Sequence, residues 1–174
     1  MFLDESGFLL VPTIRRTWAP KGKTPILKIA GGWTKISSIS AISVSSKKER
    51  VRLYIRFHAK NIRFPQVIRF LKLLHKHLRE GFILLWDRGA SHKAKAVKRF
   101  LKTQPRIFSY HFPGYAPKLN PDEFVWGNMK RSVANSAPED THDLKKLLYK
   151  AAHRLKHSPR LLWGCIRASE LPWS

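Results

Sequence analysis

Eleven acidic residues stand against 34 lysines and arginines in this chain of 174 residues, and the acids are where chemistry would sit. Five of them fall in three short segments: Asp4 with Glu5, Asp87 alone, and Asp122 with Glu123. Asp4 and Asp87 each close an apolar run, Phe2-Leu-Asp4 and Phe82-Ile-Leu-Leu-Trp-Asp87. Asp122 and Glu123 follow Asn120-Pro121 at the start of a helical pattern. Carboxylates at strand ends and at a neighbouring helix start can converge at one edge of an α/β sheet, where such folds hold their ligands. Grouped carboxylate oxygens suit a hard divalent cation; Mg²⁺ typically takes one or two of them and fills its shell with substrate phosphate oxygens. The same residues have plainer readings. An aspartate after a strand is an ordinary turn former. Asn120-Pro121-Asp122-Glu123 is also a well-formed helix opening, with an N-cap, a first-position proline and an acid reaching back. Asp122 shares a helical stripe with Val125, Trp126, Met129 and Val133 and would favour the helix dipole from the first turn.

The elements that would position these acids follow from hydrophobic period. Residues 2–4, 8–17, 36–44 and 51–58 read as strands, and Val51, Leu53, Ile55 and Phe57 alternate with polar or basic partners at the period of a half-buried strand. Residues 18–25 are rich in turn formers and read as a loop. Phe64, Val67, Ile68, Leu71, Leu74 and Leu78 keep helical spacing, and Gly81 supplies the stop. Residues 82–86 form a continuous apolar run, the mark of a strand covered on both faces. A short basic helix is expected over 92–103, with Ala94, Val97, Phe100 and Leu101 inward and Lys93, Lys95, Lys98, Arg99 and Lys102 outward. A strand over 106–112, a loop, a helix from Asn120 to about 135 and helical segments through much of 141–170 complete the pattern. Strands first, then alternating helix and strand, give an α/β layered domain.

Composition narrows the partners. The formal net charge of +23 points to a protein that sits on phosphates rather than one handling small neutral substrates. The length is that of about one domain, large enough to bury roughly 70% of its unfolded surface without a disulfide scaffold. A hydrophobic content of 43% excludes intrinsic disorder. The single cysteine, Cys165, gives no intrachain disulfide and no cysteine metal site, which suits a reducing compartment. The opening Met1-Phe-Leu-Asp-Glu5 is unlike a signal peptide, and no apolar run is long enough to span a bilayer. The expected location is the cytoplasm, on the nucleoid, with no membrane partner. His153 and His157 lack a third ligand and read as a solvated helix face, and Cys165 as a buried small hydrophobe.

Four blocks carry a resemblance: Phe2-Leu-Asp-Glu-Ser-Gly-Phe8, Arg16-Thr-Trp-Ala-Pro-Lys-Gly-Lys-Thr-Pro25, Leu85-Trp-Asp-Arg-Gly-Ala-Ser-His-Lys93, and Tyr115-Ala-Pro-Lys-Leu-Asn-Pro-Asp-Glu-Phe-Val-Trp126 running on to Lys130-Arg131. In this order, from residue 2 to about 135, they are similar to the DDE transposases of bacterial insertion sequences in the mariner-like superfamily. The resemblance implies an RNase H-like α/β fold, a mixed β-sheet flanked by helices, with residues 1–174 as a single catalytic domain. It implies that Asp4, Asp87 and Glu123 are the catalytic carboxylates and hold two divalent ions, Mg²⁺ or Mn²⁺. Asp122 is the register alternative to Glu123, and Ser6, His92 and Asn120 are supporting candidates. DNA is the implied partner, with Arg88, Lys93, Lys95, Lys130 and Arg131 as its expected contacts. The implied reaction is DNA strand cleavage and strand transfer during transposition, in a synaptic complex containing a homodimer. Two departures stand out. Arg88 occupies a position where the family commonly has Asn, so its guanidinium would contact DNA phosphate or compete with metal for Asp87. A helix-turn-helix region usually precedes the catalytic domain, and here three residues precede Asp4, roughly 10 Å of strand. A truncated first strand and a separately encoded helix-turn-helix half are therefore expected. The alternative function is an inactive transposase remnant, or a basic nucleic-acid-binding module without catalysis.

Overall fold

The computed structural model describes residues 1–11, 14–24, 26 and 34–172. Its strands are β1 (Phe2–Leu9), β2 (Lys35–Val44), β3 (Val51–His58), β4 (Phe82–Trp86) and β5 (Ile107–His111). Its helices are α1 (Phe64–His77), α2 (Ala90–Lys93), α3 (Lys95–Lys102), α4 (Pro121–Val133), α5 (Thr141–Lys156) and α6 (Pro159–Ala168), with a 3₁₀ turn at Pro117–Leu119. The strands form one mixed sheet in the order β3-β2-β1-β4-β5. β2 runs antiparallel to β1 and β3, whereas β4 runs parallel to both β1 and β5.

Strand alternation builds two cores. Phe2, Phe8, Ile36, Ile42, Val51, Leu53 and Ile55 face α4, α5 and α6, where Val125, Trp126, Leu144, Leu148 and Leu162 meet them. Leu3, Ile39, Ala41, Leu84 and Trp86 face the other way, onto Val67, Phe70, Leu71 and Leu74 of α1 and Val97 of α3. Residues 2–4 and the start of 8–17 thus belong to one strand, β1, which is central, eight residues long and paired with β2 along its whole length. It ends at Leu9; Thr17 lies outside it, and residues 12 and 13 lie outside the described set. β1 is therefore not the short strand expected. At the parallel seam β1 meets β4 at the single register pair Phe2↔Leu85. The Met1 amino group donates to the Ile83 carbonyl at 3.0 Å, and the Leu85 amide donates to the Met1 carbonyl at 2.9 Å.

Two other expectations change. β4 is not covered on both faces: Ile83 is 54% exposed, because α4, α5 and α6 pack over β1, β2 and β3. The doubly covered strand is β2, whose serines tuck inside; Ser38 hydroxyl donates to the Arg56 carbonyl at 3.3 Å. The basic helix expected over 92–103 is two helices, broken at Ala94, whose extended backbone (φ −54°, ψ 136°) ends α2 and starts α3.

Candidate active site

The parallel seam sets the site. Two residues beyond Phe2↔Leu85 on each strand come Asp4 and Asp87, at corresponding positions where the ladder has ended. This is the carboxyl edge of neighbouring parallel strands at a reversal of strand order, the place where open α/β sheets bind ligands. Asn120 opens α4 above it, its side chain accepting from the Asp122 amide at 3.2 Å. That cap delivers Asp122 and Glu123 in the first helical turn.

The two acids of α4 part company. Asp122 is fully buried and accepts from the Ser40 hydroxyl of β2 at 2.6 Å, while its Oδ2 has no hydrogen-bond partner. Burial, and then the charge of Asp4, holds its pKa well above the usual carboxylate range. Glu123 is exposed and lies within electrostatic reach of Asp4. Asp4 itself is buried, and the Trp126 indole N–H donates to its Oδ2 at 3.1 Å. Burial first, then the charges of Glu123, Glu5 and Asp87, push the Asp4 pKa up to about 7.

Asp87 is held from the other side of the sheet. Its Oδ1 accepts from the Gly89 amide at 2.8 Å and lies 2.6 Å from His92 Nδ1. The hydrogen bond from His92 lowers the Asp87 pKa against the opposing effect of partial burial. His92 is 3% exposed, stacks on Trp86 with centroids 4.3 Å apart, and places Nε2 2.9 Å from Glu5 Oε1. Burial works to lower the His92 pKa, but the two carboxylates outweigh it and raise it to about 10.

Asp4, Asp87 and Glu123 are therefore gathered at one edge, yet they do not bring one oxygen each within 4.8 Å of the others. Among the described residues that spacing is met by Asp140, His142 and Asp143, at the solvent-facing start of α5. There Asp140 caps the Asp143 amide and Asp143 pairs with Lys146, so the group is explained by helix capping. Arg88 is exposed, and the ion pair on Asp87 is made by His92. Arg88, Lys93 and Lys95 are exposed around α2, beside Asp87. Lys130 and Arg131 sit two turns further along α4, about 10–12 Å from Glu123 by helical rise, and Lys130 borders a separate cavity with Phe8 and Val133. Ser6 lines a cleft with Glu5, Lys35, Asn61 and Arg63. Sequence reasoning gave no role to Glu5, Ser40 or the Trp126 indole N–H, since each acts across the fold; the only local signal was that Glu5 adjoins Asp4.

The profile of the DDE superfamily endonucleases matches residues 1–145. The chain belongs to this family. No curated protein sequence matches this DDE endonuclease. Among solved structures it is similar to the Mos1 transposase paired-end complex with left transposon end, at 17% identity and a TM-score of 0.60 over 97% of this chain and 55% of that one. The Mos1 mariner paired end complex with Mn gives 17% and 0.59, over 98% and 55%. The Mos1 catalytic domain alone gives 15% and 0.54, over 98% and 82%. This DDE endonuclease thus spans about half the length of the Mos1 chains in the DNA complexes, and its mixed sheet with helices on both faces is an RNase H-like fold.

Proposed function

We propose that this chain is the catalytic domain of a DNA transposase, cleaving DNA strands and transferring the freed 3′ end with the help of divalent metal. The observation that carries the reading is the accumulation of carboxylates at the β1/β4/α4 edge of a chain with a formal net charge of +23. Burial, and then the charges of Glu123, Glu5 and Asp87, lift Asp4 to about 7, and an all-oxygen donor set at such a place fits Mg²⁺ or Mn²⁺. Asp4, Asp87 and Glu123 would be the ligands. Glu123 is favoured over Asp122 because it is exposed, whereas Asp122 is turned into the core. Two ions are proposed, as the resemblance to the DDE transposases implies. Such a pair would activate the attacking hydroxyl and stabilise the leaving 3′ oxygen of a phosphodiester.

The chain's own residues do the positioning. Trp126 fixes one oxygen of Asp4, His92 and Gly89 fix Oδ1 of Asp87, and the Asn120 cap sets the turn that carries Glu123. Arg88, Lys93, Lys95 and the cleft cations Lys35 and Arg63 would meet DNA phosphates near the carboxylates, with Lys130 and Arg131 further along the path. Phosphate contacts of this kind hold the duplex in register and carry no base code. Recognition of element ends would fall to a helix-turn-helix region, and activity to a synaptic complex with a second copy on the nucleoid.

The test is nicking of duplex DNA in Mn²⁺ by the unmodified chain, Asp87→Asn and Glu123→Gln, with duplex affinity measured in parallel. Both variants should lose nicking while keeping affinity within about threefold. Equal nicking by all three would overturn the site, and a folded, DNA-binding chain that never nicks would favour the binding-module reading.

A further inference from the structure

Asp87, just past the end of β4, and Glu5, on β1, are 82 residues apart in sequence, and one buried ring joins them. His92 Nδ1 faces Asp87 Oδ1 at 2.6 Å and Nε2 faces Glu5 Oε1 at 2.9 Å. Oxygen atoms thus face both ring nitrogens, with the Asp87 carbonyl a further neighbour of Nδ1, so the ring is held at both ends. Trp86 stacks along its face, and Gly89 closes the turn so tightly that a Cβ there would stand 3.0 Å from Asp87 Oδ1. The Gly89 amide hydrogen bond and the His92 Nδ1 ion pair both fall on Oδ1 of Asp87, and Nδ1 also lies 3.3 Å from the Asp87 carbonyl oxygen, although the side chain is 57% exposed.

We propose that His92 is a positioning residue, clamped by Glu5, that holds Oδ1 of Asp87 so that Oδ2 is presented to a divalent cation. The clamp sits where it is needed, because the β1–β4 ladder has ended before Asp4 and Asp87 and no backbone bond of that ladder fixes their separation. His92 replaces the missing rung with a side-chain strut: Asp87 at the end of β4, the ring from α2, Glu5 on β1. Neighbouring groups that orient metal ligands typically change metal affinity about 10–100-fold when removed. The proposal rests on Asp87 being a metal ligand.

Two near-isosteric substitutions separate the ends of the strut. His92→Asn keeps a donor near the position of Nδ1, toward Asp87, and His92→Gln keeps one near Nε2, toward Glu5. Each loses one contact and the stacking on Trp86, so a structural role alone would affect both alike. The measurement is Mn²⁺ affinity of the full chain without DNA, read from the loss of the free-ion EPR signal, with melting temperatures alongside. His92→Gln should weaken Mn²⁺ by about tenfold or more, and His92→Asn should restore it to within about threefold of the unmodified chain. Equal affinities in the two variants would overturn the clamp. Unmodified chain and Asp87→Asn binding Mn²⁺ alike would overturn the metal-site reading itself, and the clamp with it. Should the His92 variants fail to fold, the ring nitrogens of the unmodified chain are followed by ¹⁵N NMR during Mg²⁺ addition. The His92 Nδ1 resonance should move, and fail to move in Asp87→Asn; an unresponsive Nδ1 in the unmodified chain would overturn the proposal.

Discussion

Asp4 on β1 and Asp122 on α4 show how burial and like charge act on single carboxyls. Asp122 has a raised pKa in the folded chain, so its ionisation destabilises the fold. That penalty is absent below the unfolded value near 4 and grows as pH rises. Asp122→Asn keeps an acceptor for Ser40 and cannot ionise. Its melting temperature should therefore exceed that of the unmodified chain by about 3 °C or more at pH 8, the effect of about 1 kcal/mol in a chain this long, with the gap closing toward pH 4. A gap constant with pH would contradict the buried-charge account. Asp4 titrates near 7 and its ionised form is likewise disfavoured by the fold, so protons compete with any cation it binds. Saturation with Mn²⁺ at about a hundred times the dissociation constant adds about 2.7 kcal/mol, or roughly 5–10 °C. Calorimetry should find that increment at pH 8 and much less of it at pH 5; the same increment at both would mean Asp4 is not a ligand.

Elements in this fold are punctuated by local chemistry that can be read, and arranged by packing that cannot. Gly81 is the clearest stop. It takes φ +86°, and a Cβ there would lie 2.8 Å from the Arg106 carbonyl, at the turn that hands α1 over to β4. Gly81→Ala combines left-handed strain with a backbone clash and should cost about 1–3 kcal/mol, seen as a lower urea midpoint. An unchanged midpoint would show that the turn relaxes freely. The break at Ala94 is different in kind. Its flanking residues keep a continuous helical pattern, and only the packing of His92 on Trp86 and of Val97 under α1 requires two short helices instead of one. The run over β4 misled for a related reason: apolar residues show that a strand is mostly buried, not which helix reaches which face.

At the scale of the whole molecule, charge dominates. Lysines and arginines are exposed on α1, α3, α4, α5 and α6, while five of the eleven acids gather at the β1/β4/α4 edge and a smaller group, Asp140 and Asp143, caps α5, so the surface is a broad phosphate attractor around the proposed cation site. With about six to ten phosphate contacts, duplex affinity should fall roughly 10³–10⁵-fold between 50 and 200 mM salt. Fluorescence anisotropy on a short duplex measures this, and a flat response would mean the basic surface is not a DNA footprint. No described helix is long and apolar enough to cross a membrane.

The sequence by itself determined the class of fold, the order of the elements after residue 35 apart from the split of the helix over 92–103, and the three segments that supply the carboxylates. These are local properties: period, turn residues, and acids that end an apolar run or open a helix. The tertiary structure decided how each carboxylate is held. Trp126 reaches Asp4 across 122 positions, His92 reaches Glu5 across 87, and Ser40 reaches Asp122 across 82. It also decided between the adjacent acids of α4, sending Asp122 into the core and leaving Glu123 outside. Helical period places both in the same first turn and puts Asp122 on the stripe of Val125, Trp126 and Met129, and the packing of that stripe against the sheet is what buries it.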